Sequence, residues 1–230
     1  MKKFIIGIAL IVFAVSLSIL WKDDSNRKFR LARGVSAVDL AGVVEGYSVG
    51  DSAAGYVQIE VNVSAENISD TFLYLCRQVT TPGFMVFEVA MDESEEAELS
   101  AKSNDPYHND IYYLDDMAFS DFDLIYREYE EFFIHDGLLN VGFGSHNGVD
   151  EVLISGYKIF SILATKPEKY IAALNDLGFV ESDSLITVWD NFTETAPGHR
   201  KSLTVKGRDV DDIVDLLTKR GMYYSEVRVD

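Results

Sequence analysis

Cysteine is all but missing from this chain. Cys76 is the only one, so an intramolecular disulfide is impossible and no Cys-x-x-Cys pair exists for zinc or redox work. Lipid attachment behind the N-terminal apolar segment is excluded for the same reason. Cys76 closes the apolar run Phe72-Leu73-Tyr74-Leu75-Cys76 and reads as a buried core thiol. Histidine is scarce too. The four are His108, His135, His146 and His199; no two stand at metal-ligand spacing on one helix, and HExxH is absent. A Gly-x-Ser-x-Gly elbow is also missing, since Gly144-Ser145-His146 lacks the flanking spacing. Gly142, Gly144 and Gly148 invite comparison with a phosphate-binding loop. No Lys-Ser/Thr pair or helical pattern follows them and the spacing is not GxGxxG, so a hairpin turn is the better account. No residue is nominated as catalytic, and no cofactor is implied.

Positive charge is the third shortage. The chain holds 20 basic and 38 acidic residues, a formal net charge of −18. Seven of the basic residues but only two acids (Asp23, Asp24) lie in the first 33 positions, which leaves 13 basic and 36 acidic residues in the remainder. A field of that sign repels nucleic acid and anionic lipid and attracts cations and basic proteins. It also keeps a protein soluble without any partner.

What the sequence does have begins with Met1-Lys2-Lys3 and an uncharged apolar stretch over residues 4–21. A spanning helix needs about 17–25 residues and a cleavable signal core about 7–15. The stretch fits an uncleaved anchor better than a signal peptide. Cleavage after Ala14-Val15-Ser16 would leave residues 17–21 apolar at a new N-terminus, and Trp21 suits a membrane interface. Lys2 and Lys3 favour an N-terminus inside; Lys22, Arg27, Lys28, Arg30 and Arg33 favour the reverse. The short Lys-Lys start is similar to bacterial export signals in general. The expected location is therefore the cell envelope, anchored in the cytoplasmic membrane with the body outside.

The expected organisation is an anchor or signal (1–21), a basic juxtamembrane segment and linker (22–55), an α+β region (56–155) and a final α+β unit (156–230). Residues 56–63 alternate, with Val57, Ile59, Val61 and Val63 on one face and Gln58, Glu60 and Asn62 on the other, as a half-buried strand does. Residues 68–79 read as a helix and 84–89 as a strand. The acidic stretch 92–102 reads as a solvated face, since it lacks the EF-hand pattern, and 103–110 as a loop. Phe122, Ile125, Tyr126, Tyr129, Phe132 and Phe133 form one stripe of a helix over 120–133, capped by Ser120. Strands are expected at 138–143 and 152–154.

The last third carries the strongest pattern. It predicts a strand (157–164), a helix opened by a Thr165/Glu168 capping box, strands at 185–189 and 202–205, a helix with Asp209, Asp211 and Asp212 in its first turn, and a strand (223–229). Gly178 and Gly221 stop the two helices. Measured back from those glycines, Tyr170 matches Ile213, Ile171 matches Val214 and Leu174 matches Leu217. The order β-α-β-β-α-β predicts a ferredoxin-like, split β-α-β unit with a four-stranded antiparallel sheet, a superfold that names no function.

One polar group is dense enough to weigh. If the hairpin folds back, His135, His146, Asp150 and Glu151, with Asp136, could meet at one end and bind a divalent metal. The competing reading makes them turn and helix-end residues. Three function classes follow: a non-enzymatic binding or inhibitor protein, immunity-like, with a basic protein partner; a structural or sensory ectodomain of a membrane assembly; and a metal-dependent enzyme or metal-binding module.

Overall fold

The computed structural model describes residues 28–51, 55–91, 96, 97, 99 and 107–229. The expected anchor at 4–21 and most of the acidic stretch 92–102 lie outside the described residues. Among the described residues, no helix is long and apolar enough to cross a membrane.

The fold is mixed α+β. In chain order the strands are β1 (Val35–Ser36), β2 (Gly46–Val49), β3 (Val57–Asn62), β4 (Gly83–Ala90), β5 (His108–Met117), β6 (Leu139–Ser145), β7 (Glu151–Ile154), β8 (Phe160–Ala164), β9 (His199–Arg200) and β10 (Tyr223–Val229). The helices are α1 (Ile68–Cys76), α2 (Phe119–His135), α3 (Glu168–Asp176) and α4 (Val210–Thr218). Eight strands make one antiparallel sheet in the order β10-β5-β4-β6-β7-β8-β3-β2, and β1 pairs with β9 in a separate two-stranded ladder.

The alternation read from the sequence sets the sheet's two faces. Ile59 and Val61 of β3 are fully buried while Gln58 and Glu60 are exposed. Met85, Phe87, Val141, Phe143, Val152, Ile154, Phe160 and Ile162 continue that inner face and carry the helices. The expected stripe of α2 (Phe122, Ile125, Tyr126, Tyr129, Phe132, Phe133) is buried as a unit. Phe122 stacks on Phe143 of β6, with ring centroids 4.5 Å apart. Burying one such ring contributes roughly 1.5–3 kcal/mol. Cys76 is buried in the same core, which pushes its thiol pKa up.

The two glycine stops act as predicted. Gly178 and Gly221 take left-handed backbone, φ +87° and +105°. Beyond each, a backbone N–H turns back to the last turn of its helix: Phe179 to Leu174 O at 3.0 Å and Met222 to Leu217 O at 3.1 Å. Asp209, expected within the first turn, instead precedes α4 as its cap, its carboxylate accepting Asp212 N–H at 3.1 Å while Asp212 accepts Asp209 N–H at 3.3 Å. The expected caps of the other two helices differ. Ala118 precedes α2 with no side-chain cap, and α3 starts at Glu168 behind Pro167. Thr165 is turned instead to Asp150, whose carboxylate accepts both its N–H and its hydroxyl.

The strand pairing departs from the expected four-stranded unit in residues 156–230. Residues 185–189 and 202–205 contain no strand; Trp189–Asn191 is a single 3-10 turn. Strands β8 and β10 are not neighbours, with β5, β4, β6 and β7 between them. The reason is competition for edges. Strand β8 is taken by β7 and β3, and β10 by β5. A split β-α-β arrangement does occur, but earlier in the chain. Helix α2 connects β5 to β6, which run parallel on either side of β4. Strand β5 begins inside the expected loop 103–110 and shows no clean alternation: polar and apolar side chains fall on both of its faces.

Candidate functional site

The four candidate metal ligands do not converge. His135 and His146 lie at opposite ends of β6, so the strand's full length separates them. His135 ends α2, where its Nδ1 accepts Arg33 N–H at 3.3 Å. Burial, the Arg33 charge and Lys158 push its pKa down, against Glu131. His146 sits on Phe84, ring centroids 5.3 Å apart, with Nε2 3.4 Å from Asp115.

Asp150 and Glu151 are consecutive, and successive strand residues face opposite sides. Asp150 turns towards α3, where its carboxylate meets Lys169, Thr165 and, at 3.4 Å, the Tyr170 hydroxyl. Burial opposes its ionisation, but the Lys169 and Thr165 bonds outweigh it and hold the pKa below the usual range. Glu151 faces away from the helices, and burial together with the Glu88 charge raises its pKa, against Arg228. Among the described residues, no group of three or more His, Cys, Asp or Glu side chains converges in a way that could hold a metal ion.

The glycines of β6 have a packing role. A Cβ on Gly142 would meet the Val86 side chain at 2.7 Å, and one on Gly144 the Phe84 ring at 2.3 Å. Large side chains from β4 therefore lie across the bare backbone of β6. The turn itself is confined to the residues after Ser145.

Lys158, overlooked within the apolar run 157–164, is buried at 3% exposure. Its Nζ donates to Leu139 O at 2.8 Å and Phe133 O at 3.2 Å. Burial lowers its pKa to about 7, with Asp136 opposing and Arg200 assisting. Asp136, fully buried, accepts from Leu138 N, Ser202 Oγ and Leu203 N at 2.7–3.0 Å. Close by, Gly34 N–H donates to His135 O, Lys201 N–H to Gly34 O, and Gly137 N–H to Lys201 O. These bonds tie the β1–β9 ladder to the end of α2. A buried amine of lowered pKa has the chemistry of a nucleophile or base, but this one is turned to backbone carbonyls. It also lies away from the cavity of about 310 Å³ between α2 and residues 205–213. That cavity mixes Arg127, Lys206 and Arg208 with Glu128, Glu130 and Glu131, so it favours neither charge sign.

The sheet's far end has a different character. Tyr223, Tyr113, Phe84 and His146 run side by side across it. Asp115 accepts the Tyr223 hydroxyl at 2.8 Å. Arg228 is held by Glu226 at 2.8 Å and Glu88 at 3.2 Å. Asn140 Nδ2 also donates to Glu88, at 2.9 Å. The sequence signal for this surface is the pair Tyr112-Tyr113 followed by Asp115-Asp116, which points to a surface only once β5 is known to be a strand. Compared with known proteins, the chain matches no family model, no characterised protein and no solved structure.

Proposed function

We propose that the chain is an acidic binding or inhibitor protein of the cell envelope, anchored through residues 4–21, whose body takes a basic protein partner. One observation carries this reading: acids far outnumber cations in the body, and several of those cations are already paired within its own fold. Arg30 pairs with Glu66, Arg33 with Glu131, Arg127 with Asp123, Lys169 with Asp150, Arg220 with Glu128, and Arg228 with Glu88 and Glu226. Lys158 is buried. With a net charge of −18, the acids left over dominate the surface. Such a field speeds encounter with a positive partner and disfavours negative ones.

The test is capture on the full chain in detergent micelles, from the native cell's extract and medium, at low and then physiological salt. A single basic protein retained stoichiometrically at physiological salt supports the reading. Retention of nothing, or of many basic proteins that all elute at moderate salt, overturns it.

A further inference from the structure

The sheet's two edges are finished differently. At the β2 edge, Tyr47 N–H donates to Val180 O at 3.1 Å and Ser182 N–H to Tyr47 O at 2.8 Å, so residues 180–182 close that edge at Tyr47. At the other edge β10 pairs with β5 alone among the described residues, and every residue of β10 is exposed. An uncovered edge presents a row of backbone donors and acceptors ready for another strand.

Proteins ordinarily blunt such an edge with Lys, Pro, charge or a bulge. Strand β10 contains neither Lys nor Pro. Its one irregularity lies between Tyr224 and Glu226, which leaves Glu226 to Val229 in regular register with β5. Its two charges, Glu226 and Arg228, neutralise each other at 2.8 Å.

Register assigns the faces. Tyr224 is opposite Tyr112, which is opposite the core residue Phe87; Val227 is opposite Asp110, which is opposite Val89. Tyr224, Val227 and Val229 thus lie on the helix side. The helical layer stops short of them, and they stay 51%, 40% and 47% exposed. Tyr223, Glu226 and Arg228 lie on the other side, beside Asp115 and near the exposed Asp116. Arg228 is already satisfied there by Glu88, Glu226 and the Tyr113 hydroxyl, so the acids predominate. A strand laid along β10 would meet Tyr224, Val227 and Val229 with every second side chain, and with the others Tyr223, Glu226 and Arg228, backed by Asp115 and Glu88.

We propose that β10 is the docking edge at which a basic partner adds a strand whose side chains alternate between lysine or arginine and apolar residues. The proposal rests on the reading of the chain as a binder of a basic partner and names the surface that does it. A second copy of this chain is the poorer occupant, because it brings the same net charge of −18.

The probe is a peptide alternating lysine with valine, about the length of β10. Its controls are a block isomer of the same composition and a version N-methylated at alternate residues. Binding to the full chain in detergent is measured at physiological ionic strength, where charges beyond about 8 Å are largely screened. The alternating peptide is expected to bind at least about tenfold tighter than the block isomer, roughly the worth of a few cross-strand contacts. Hydrogen exchange should slow within residues 223–229, and N-methylation should abolish binding. Val227→Lys should weaken it about tenfold without moving the unfolding midpoint.

Equal binding of both isomers, unmoved by N-methylation or by Val227→Lys, overturns the edge and leaves the basic-partner reading standing. Failure of both isomers to bind overturns the edge, and if capture also retains nothing the basic-partner reading falls with it. A free chain that is already a dimer with 223–229 protected assigns the edge to a second copy and overturns the proposal.

Discussion

Thr165 holds Asp150 twice, through its N–H at 3.1 Å and its hydroxyl at 3.2 Å, and so fastens the β6–β7 turn to the entrance of α3. Lys169 and the Tyr170 hydroxyl complete the carboxylate's surroundings. One short side chain thereby orders two connections that are distant in sequence.

Asp150→Asn is expected to destabilise the fold by about 1–3 kcal/mol at neutral pH, the usual effect of breaking a mostly buried, charge-assisted network. The pH dependence follows from the lowered pKa. A depressed carboxylate contributes stability that is present above its unfolded value and lost as pH falls through the folded one. Urea unfolding of wild type and variant should therefore differ most at neutral pH and converge as pH falls below the ordinary carboxylate range. A gap that stays constant with pH would contradict this account.

Lys158 predicts a slope on the alkaline side. Its folded pKa, lowered to about 7 chiefly by burial, lies below the model-compound value of 10.5. Between those values the unfolded chain binds the extra proton, so stability rises with pH across the window. Lys158→Met should flatten that rise while leaving the acid limb unchanged, which denaturation curves from pH 7 to about 9.5 would show. Staying below pH 10 avoids Tyr126 and Tyr170, whose pKa values are raised mainly by burial.

Two glycines should rank differently. A Cβ on Gly137 would lie 2.1 Å from Gly34 O and 2.9 Å from Lys201 N, both backbone atoms. A Cβ on Gly144 would meet the Phe84 ring, a side chain that can shift. Gly137→Ala should cost more than Gly144→Ala, with the latter near the usual 1–3 kcal/mol for overpacking. Thermal unfolding of the two variants checks the order, and a reversal would mean that the β1–β9 ladder is not tightly held.

Added zinc, manganese or calcium should leave the melting temperature of the full chain unchanged, and His146→Ala should not alter that. Asp150 is occupied by Lys169 and Thr165, and His135 lies at the far end of β6 from His146. A metal-dependent rise in melting temperature that disappears in His146→Ala would return these residues to a metal site.

Local rules read well from the sequence. The α2 stripe, the two glycine stops and the acids at the start of α4 depend on neighbours within one or two turns, and periodicity and side-chain chemistry reveal them. Pairing between distant strands is not written locally. The matched registers around Gly178 and Gly221 are real, yet β10 lies against β5 rather than beside the strands of its own third. Asn62 illustrates the same limit. It was assigned to the solvent face by alternation, but it is buried because Val44 O and Ile186 O, from segments far apart in the chain, both accept its amide. The candidate ligands failed to converge for a related reason: nearness in sequence across a hairpin says little about which face each side chain takes.

The cover that residues 180–182 place over Tyr47 sets a ceiling on growth. A sheet able to accept strands at both ends can propagate into a fibre, whereas one sealed at an end terminates after a single addition. A twin of this chain added edge to edge at β10 would carry the same closure at Tyr47 on each outer side, which favours a product of two copies. Among the described residues, β10 can therefore stay exposed while the opposite edge is closed at Tyr47.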